Sequence, residues 1–118
     1  MSVTYLDVKI ANLIDPQRSK KVQFLVDSGA VYSVVPEKDL KQLGITDTDT
    51  ERFTLANGEV IEKAVGNALF EFQGKKRSSP VVFGAKDVYL LGAVTLESLG
   101  VILDPINRQL RPLPMLMM

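Results

Sequence analysis

The sequence predicts a mostly β fold, and three observations support that class. Short runs rich in valine, isoleucine, leucine and phenylalanine recur along the chain, separated by glycine, proline, asparagine and aspartate residues that favour turns. Asn57-Gly58 lies between two such runs, and this dipeptide is the strongest hairpin signal that a short stretch of sequence carries. At most two segments have the composition and stop signals of helices, and both are short. Strands therefore dominate the prediction.

The individual elements follow from these runs and turns. Helices are predicted at residues 37–43 and 95–99, each followed by a glycine that ends it. The polar residues 46–50 are predicted to form a loop, and residues 74–79 a turn whose basic side chains are solvated. Strands are predicted at residues 3–13, 20–26, 30–35, 53–56, 59–61, 68–72, 81–83, 88–91, 101–103 and 109–111.

The composition excludes several classes of function. A length of 118 residues suffices for one domain, residues 1–118, and leaves no room for a second core. Fourteen basic and fourteen acidic residues balance, which argues against nucleic acid or an anionic membrane surface as the main partner. The lack of cysteine and histidine excludes disulfides, thiolate or imidazole catalysis, and the usual zinc sites. Acid–base chemistry must therefore come from carboxylates, lysine or tyrosine.

The start of the chain and its hydropathy bear on location. Residues 1–4 lack the basic and apolar blocks of a signal peptide, and no apolar run reaches the length that spans a bilayer. We expect a soluble, cytoplasmic protein.

Asp27 is the carboxylate that the sequence singles out. It directly follows the apolar run at residues 24–26, so it lies where a buried strand emerges. Ser28 supplies a hydroxyl that can tie the loop down, and Gly29 lets the backbone turn sharply and bring an N–H close to the carboxylate. A loop anchored between two core strands holds a catalytic group in a fixed position. On the tripeptide alone, however, the simpler interpretation is an aspartate that caps a turn.

The order of the motifs resembles that of the retropepsin-like family of aspartic proteases over residues 3–110. Leu25-Val26-Asp27-Ser28-Gly29-Ala30 is similar to the family's active-site motif, in which two hydrophobic residues precede Asp-(Thr/Ser)-Gly-Ala. Residues 53–65 are similar to the β-hairpin flap, with the tip at Asn57-Gly58. Leu90-Leu91-Gly92 is similar to the hydrophobic-hydrophobic-Gly motif before a short helix. The resemblance implies an acid-protease fold: a closed, barrel-like sheet with a flap hairpin and one or two short helices.

The resemblance also implies roles for particular residues, and it implies no cofactor and no metal. Asp27 is the expected catalytic residue. The residues expected to support it are Ser28, Gly29, Ala30 and Gly92, and those expected to bind substrate at the flap are Ala56, Asn57 and Gly58.

The expected partners are a second copy of the chain and a peptide or protein substrate. An aspartic protease shares one proton between two carboxylates, of which one activates a water and the other polarises the peptide carbonyl. The chain has one Asp-Ser-Gly segment, so the second carboxylate must come from another copy, across a two-fold axis. Neither nucleic acid nor a membrane is expected as a partner.

Two departures from the family pattern affect the expected dimer. Ser28 replaces the commoner threonine but keeps the hydroxyl. Ala93 stands where retroviral members usually have a basic residue, so no intersubunit ion pair is expected there. The interface is instead predicted at the chain ends, residues 1–5 and 109–116. The apolar tail at residues 115–118 is either part of that interface or a frayed terminus.

Other residues have simpler interpretations. Asp104 precedes a proline and is predicted to be a turn residue. The acidic residues at 47, 49 and 51 are predicted to be solvated, since the spacing lacks the glycine and glutamate of a calcium loop. Helix acids such as Asp39 are predicted to be surface charges, and Tyr32 and Tyr89 to be core residues. The apolar candidates for lining a substrate cleft, which fit the core equally well, are Val31, Val34, Leu55, Val60, Ile61 and Val82.

A function from a different class also fits the sequence. A non-catalytic dimerisation or peptide-binding module would keep the same fold, because a fold does not determine a function. Cleavage of an unstructured apolar peptide mixture distinguishes the two hypotheses.

Overall fold

The computed structural model describes residues 4–104 and 109–112. Its helices are α1 (Glu37–Gln42) and α2 (Ala93–Ser98). Its strands are β1 (Tyr5–Ala11), β2 (Ser19–Val26), β3 (Ser33–Pro36), β4 (Asp47–Thr54), β5 (Val60–Phe72), β6 (Lys75–Gly84), β7 (Leu90–Leu91), β8 (Val101–Asp104) and β9 (Gln109–Pro112). The predictions for residues 1–3 and 113–118 lie outside the described residues, as does most of the predicted turn after Asp104.

Six strands form a closed ring. The order is β1-β2-β7-β3-β6-β5, and β5 pairs back to β1 through Ile10 opposite Phe70. β4 joins only β5 and so extends outward as one arm of a hairpin. The ring buries an apolar core that includes Val8, Phe24 and Leu91. The predicted fold class, a mostly β, barrel-like acid-protease sheet with a flap hairpin and two short helices, is confirmed.

The described C-terminal residues form a separate two-stranded sheet. β8 pairs antiparallel with β9, from Val101 opposite Pro112 to Asp104 opposite Gln109. This hairpin follows α2 directly and packs beside it, so it lies against the helix that begins at Gly92.

The predicted loop at residues 46–50 is wrong for residues 47–50, because these belong to β4. Nearly all of the side chains on β4 are exposed, so the strand has no apolar alternation to mark it. Its backbone is held by pairing with the long strand β5, from Asp47 opposite Gly66 to Thr54 opposite Val60. Backbone pairing rather than burial therefore creates this strand.

Three predicted boundaries also need correction. The turn predicted at residues 74–79 consists of Gln73 and Gly74, both at positive φ, and the basic residues after it open β6. Residues 30–32 are not strand, because β3 begins at Ser33. The strand predicted at residues 88–91 is reduced to Leu90–Leu91, which fits between β2 and β3. In the described part of the chain, no helix is long and apolar enough to cross a membrane.

Candidate active site

Asp27 lies at the end of β2, and backbone hydrogen bonds fix its position. The buried side chains of Phe24 and Val26 anchor the strand that leads to it. The Asp27 N–H donates to the carbonyl of Leu91 at 3.0 Å. The Asp27 carbonyl accepts from Ala30 N–H at 3.1 Å, which closes a tight turn. Asp27 is half-buried as a residue, and its carboxylate stays accessible on a fixed backbone.

Gly29 brings a hydrogen-bond donor to this carboxylate. Its N–H donates to Asp27 Oδ1 at 3.0 Å. A Cβ on Gly29 would lie 3.3 Å from the same oxygen, so a side chain here would crowd the carboxylate. Ser28, the residue between them, is exposed beside Asp27. The structure thus brings the three residues of the predicted motif into one loop.

Gly92 lies against the same loop because β7 fits between β2 and β3. β7 runs parallel to β2, with Leu91 opposite Val26. A Cβ on Gly92 would lie 2.5 Å from the carbonyl carbon of Tyr32 and 2.9 Å from the Ser33 nitrogen. Both are backbone atoms that cannot swing aside, so only glycine fits this close approach.

Helix α2 begins at the loop and is attached to it. The N–H of Ala93 donates to the carbonyl of Ala30 at 2.7 Å, and the N–H of Val94 donates to that of Val31 at 3.0 Å. The loop therefore satisfies two donors of the first helical turn that have no partner within the helix. Ala30 is thus joined both to Asp27 and to the element that follows Gly92.

The hairpin formed by β4 and β5 matches the predicted flap. Its tip is closed by Leu55 N–H donating to Glu59 O at 2.7 Å and by Gly58 N–H donating to Leu55 O at 2.9 Å. The side chain of Asn57 accepts from Glu59 N–H at 2.9 Å, and Gly58 has a φ of +86°. The tip residues Ala56, Asn57 and Gly58 are exposed, so they are free to meet a ligand.

A cavity of about 510 Å³ lies between the Asp27 loop and the flap hairpin. This volume falls in the range that holds a small ligand or a few side chains. The loop side includes Gly29 and Ala30, and the flap side includes Phe53. The predicted cleft residues that line the cavity are Val31, Val34, Leu55, Ile61 and Val82. The prediction for Val60 is wrong, because this exposed residue is not part of the cavity wall.

Tyr32 is a cavity residue that the sequence did not reveal. It was predicted to belong to the core, but it is half-buried and lines the cavity. Its ring packs edge to face on the ring of Phe53, which lies on the flap strand β4. No sequence signal distinguishes an aromatic residue at a cleft from one in a core, because both positions favour large apolar rings.

A second groove borders the Asp27 loop at Ser28, and none of its lining residues belongs to the flap hairpin. It has a volume of about 480 Å³. Its lining is mainly apolar and consists of Ser28, Ala93, Leu96, Glu97, Val101, Ile102 and Leu103. Ile102, on β8, is 49% exposed. This groove joins Ser28 of the loop, helix α2 and the C-terminal hairpin into one surface.

The other acidic residues lie in different environments. Asp104 ends β8 with a buried side chain and accepts from the Arg111 guanidinium at 3.3 Å, so it is a strand residue in a hairpin ion pair. Asp47, Asp49 and Glu51 are exposed along β4. Within residues 4–104 and 109–112, no group of three or more potential ligand residues is arranged to hold a metal ion.

Asp39 is not the simple surface charge that was predicted. Its carboxylate accepts from the Tyr89 hydroxyl and from Lys20 Nζ, the latter at 3.0 Å. Burial alone would raise the pKa of Asp39, but donation by Tyr89 and Lys20, together with the Lys20 charge, lowers it. The same contact with Asp39 raises the pKa of Lys20 and that of Tyr89. The cluster joins helix α1 to β2 and to the residue before β7.

Comparison with known proteins agrees with the fold and assigns the chain to a family. The family model described as aspartyl protease matches residues 7–100, which is well over half of the chain. The chain therefore belongs to the aspartyl protease family. The match ends before the β8–β9 hairpin. No curated protein sequence matches the chain.

Two solved structures are similar to the chain. An EIAV protease complexed with the inhibitor HBY-793 has a TM-score of 0.63 and 17% identity, over 84% of this chain and 89% of that one. The solution structure of a simian foamy virus (mac) protease has a TM-score of 0.54 and 23% identity, over 80% of this chain and 92% of that one. At these identities the likeness concerns the fold.

Proposed function

We propose that the protein is an aspartic endopeptidase that works as a homodimer, with Asp27 of each protomer supplying one of two catalytic carboxylates. The observation that carries this proposal is the support around Asp27. Its backbone N–H is bound to Leu91, and its Oδ1 accepts from Gly29 N–H. Asp27 is a half-buried residue, and Gly29 and Ala30 of its loop line an apolar cavity that a hairpin flanks. A carboxylate on a fixed backbone next to a cleft has the geometry that acid–base catalysis needs.

In the proposed mechanism the two Asp27 carboxylates share one proton. The ionised carboxylate takes a proton from a water, and the water oxygen forms a bond to the peptide carbonyl carbon. The protonated carboxyl donates a hydrogen bond to the carbonyl oxygen and transfers its proton as the tetrahedral intermediate forms. The C–N bond then breaks: the leaving nitrogen takes up the proton held by the first carboxylate, and a hydroxyl of the intermediate returns a proton to the second carboxylate, so the pair again shares one proton. The products are a carboxylic acid and an amine.

The need for a second chain follows from the count of suitable carboxylates. The sequence has one Asp-Ser-Gly segment, and Asp104 is held in an ion pair with Arg111 in the C-terminal hairpin. A residue near a two-fold axis meets its own symmetry mate, so a homodimer supplies the second Asp27. Ser28 would then lie at the interface, and the apolar groove that it borders would be covered by the partner. This extends the interface predicted at the chain ends to α2 and Ile102.

The proposed substrate is an extended peptide or protein segment held under the flap. An apolar cavity favours apolar side chains near the cleaved bond. The exposed flap residues Ala56, Asn57 and Gly58 offer backbone groups for strand-like pairing with a peptide. The balanced charge of the chain gives no reason to expect nucleic acid as a partner, and the proposed location is the cytoplasm.

The test is cleavage of an unstructured apolar peptide mixture across a range of pH, read by mass spectrometry. We expect wild type to cleave, and Asp27→Asn to lose cleavage while keeping the fold, because an amide is neither a base nor a proton carrier. Asp15→Asn is the matched control, since this exposed loop aspartate should be dispensable. Asp104→Asn should also cleave once folded. Peptide binding without cleavage by wild type would instead favour the non-catalytic module.

A further inference from the structure

Three hydroxyl side chains form a buried chain of hydrogen bonds inside the ring of strands. Ser33 Oγ lies 2.6 Å from Thr95 Oγ1, which lies 2.8 Å from Ser79 Oγ. Ser33 and Thr95 are 0% exposed and Ser79 is 2% exposed. These hydrogen bonds connect β3, α2 and β6. Replacing mutually hydrogen-bonded buried groups by apolar groups of the same shape can leave stability nearly unchanged, so stability alone does not explain why three hydroxyls occupy this space.

The hydroxyl chain ends at the backbone beside Asp27. Ser33 Oγ accepts from the N–H of Gly92 at 2.9 Å. That N–H and the carbonyl of Leu91 belong to the same peptide unit, which is rigid and planar. The Leu91 carbonyl, at the other side of the unit, accepts from Asp27 N–H at 3.0 Å. The Leu91–Gly92 peptide unit therefore donates to Ser33 through its N–H and accepts from Asp27 through its carbonyl.

We propose that Ser33, Thr95 and Ser79 are positioning residues that set the location of Asp27 through the peptide between Leu91 and Gly92. The proposed catalytic role of Asp27 is the premise of this inference. Thr95 holds the Ser33 hydroxyl from one side and is itself held by Ser79. The hydroxyl therefore stays directed at the Gly92 N–H, and the peptide plane keeps its tilt.

Removing the central hydroxyl should release this constraint. In Thr95→Val the shape of the side chain is kept, but Ser33 loses its partner and can turn away from Gly92. The peptide plane then keeps its hydrogen bond to Asp27 but loses the fixed acceptor for the Gly92 N–H, so the Asp27 backbone can shift. Displacement of a catalytic group by about 1 Å costs on the order of a hundredfold in rate, so a shift of about half an ångström should cost about tenfold.

The experiment compares three variants in the peptide cleavage assay. Thr95→Val should lower kcat per folded dimer about tenfold or more, leave KM within about twofold, and move the limbs of the pH profile. Thr95→Ser keeps the hydroxyl and should restore kcat to within about twofold of wild type. The matched control is Val8→Ala, which removes methyl groups from the buried face of β1 and should lower stability without changing kcat per folded dimer. Equal kcat for Thr95→Val and wild type would overturn the inference.

Amide hydrogen exchange separates a failure of this inference from a failure of the proposed function. Thr95→Val should speed exchange at Asp27 and Gly92 beyond any change in the most protected core amides, whether or not the protein cleaves peptides. Val8→Ala should speed exchange across the core without selecting these two amides. If wild type is inactive, faster exchange at Asp27 and Gly92 in Thr95→Val still supports the positioning role. If these two amides do not exchange selectively faster, the positioning role is overturned. If Thr95→Val does not fold, Ser79→Ala, which removes the last of the three hydrogen-bonded hydroxyls, is measured in the same way. Faster exchange selectively at Asp27 and Gly92 would support the inference, and its absence would overturn it.

Discussion

The ring of Tyr32 packs edge to face against the ring of Phe53, with centroids 6.3 Å apart and planes inclined at 86°. Tyr32 follows the Asp27 loop, and Phe53 lies on β4, the outer arm of the flap hairpin. The contact thus joins two parts of the cavity wall that are separated in the chain. Since β4 pairs only with β5 in the sheet, this aromatic contact is one of the links that hold the flap strand to the site.

Phe53→Ala should weaken substrate processing by loosening this link. An edge-to-face aromatic pair contributes about 0.5–1.5 kcal/mol beyond burial, so kcat/KM should fall roughly 2- to 10-fold. The main effect should be on KM, because the flap contributes binding more than chemistry. The measurement is steady-state kinetics with a peptide found by the mass-spectrometric screen.

Two variants test whether the ring contact is responsible. Tyr32→Phe keeps the ring and should retain the Phe53 contact, so kcat/KM should stay within about twofold of wild type. Arg52→Ala removes an exposed ion pair with Glu62 on the same hairpin and should also have little effect. A loss from Arg52→Ala as large as that from Phe53→Ala would mean that general disturbance of the hairpin, not the aromatic pair, is the cause.

Much of the fold was predictable because its strongest elements carry local signals. The apolar run before Asp27, the Asn57-Gly58 hairpin and the Leu90-Leu91-Gly92 segment all follow rules that act within a few residues. β4 was missed because its side chains are exposed and only its backbone pairing makes it a strand. The turn at Gln73-Gly74 was misplaced because glutamine is not the residue usually found there.

The parts of the site that sequence could not reveal depend on contacts between distant residues. Ser33 and Thr95 are 62 positions apart, and Asp39 and Tyr89 are 50 positions apart. A serine, a threonine or an aspartate has the same local pattern whether it is solvated or bound to a distant partner. Tertiary structure alone brings these pairs together, so a single sequence gives no sign of them.

Gly92→Ala should reduce activity more than its cost in stability explains. The added Cβ would press on backbone atoms of Tyr32 and Ser33, which should cost about 1–3 kcal/mol and push β7 away from the loop. Gly74→Ala is the matched comparison. It has open space around it but a φ of +80°, so strain should cost about 1–2 kcal/mol far from the cavity.

The two glycine variants should therefore lose similar stability but differ in activity. Denaturant unfolding gives the stability of each variant, and kcat per folded dimer gives its function. We expect Gly74→Ala to keep the wild-type kcat and Gly92→Ala to lose most of it. Equal kcat values for both variants would show that the close approach of Gly92 to Tyr32 does not matter for the site.

The cluster of Asp39, Tyr89 and Lys20 should give stability a defined dependence on pH. The pKa of Asp39 is lowered in the folded state, because donation by Tyr89 and Lys20 outweighs the effect of burial. Its contribution is therefore present above the unfolded pKa and is lost as pH falls through the folded value. The pKa values of Tyr89 and Lys20 are raised mainly by their bonds to Asp39, so their contributions are lost at alkaline pH.

Asp39→Asn tests this dependence. At neutral pH it should destabilise the fold by about 1–2 kcal/mol, a figure that allows for solvent screening of the half-exposed Lys20. The difference from wild type should begin to shrink as pH falls below the unfolded pKa of roughly 4, and it should disappear only below the lowered folded pKa, where the carboxylate of the folded protein is protonated as well. Chemical denaturation at several pH values measures it, and Glu37→Gln, on the exposed face of α1, is the control. A constant difference down to the lowest pH would contradict the assignment.

The last prediction is that activity depends on association through the groove beside Ser28. A monomer holds one Asp27, so specific activity should fall on dilution through the dimer dissociation constant. Ile102→Asp puts a charge on the apolar groove and should raise that constant by about tenfold or more, while the monomer keeps its fold. Ile14→Asp is the control, because Ile14 is just as apolar and lies in the exposed loop after β1.

Sedimentation or light scattering gives the dissociation constant, and activity at matched dimer concentration should be similar for Ile102→Asp and wild type. Mixing wild type with excess Asp27→Asn should suppress activity, because each mixed dimer pairs one carboxylate with an amide.

Active material that is strictly monomeric would contradict the proposed homodimeric site. Such a chain would have to find its second carboxylate within itself, and Asp104, the other aspartate that follows an apolar run, would be the first candidate. Its ion pair with Arg111 argues against that alternative, since it already holds the carboxylate in the C-terminal hairpin.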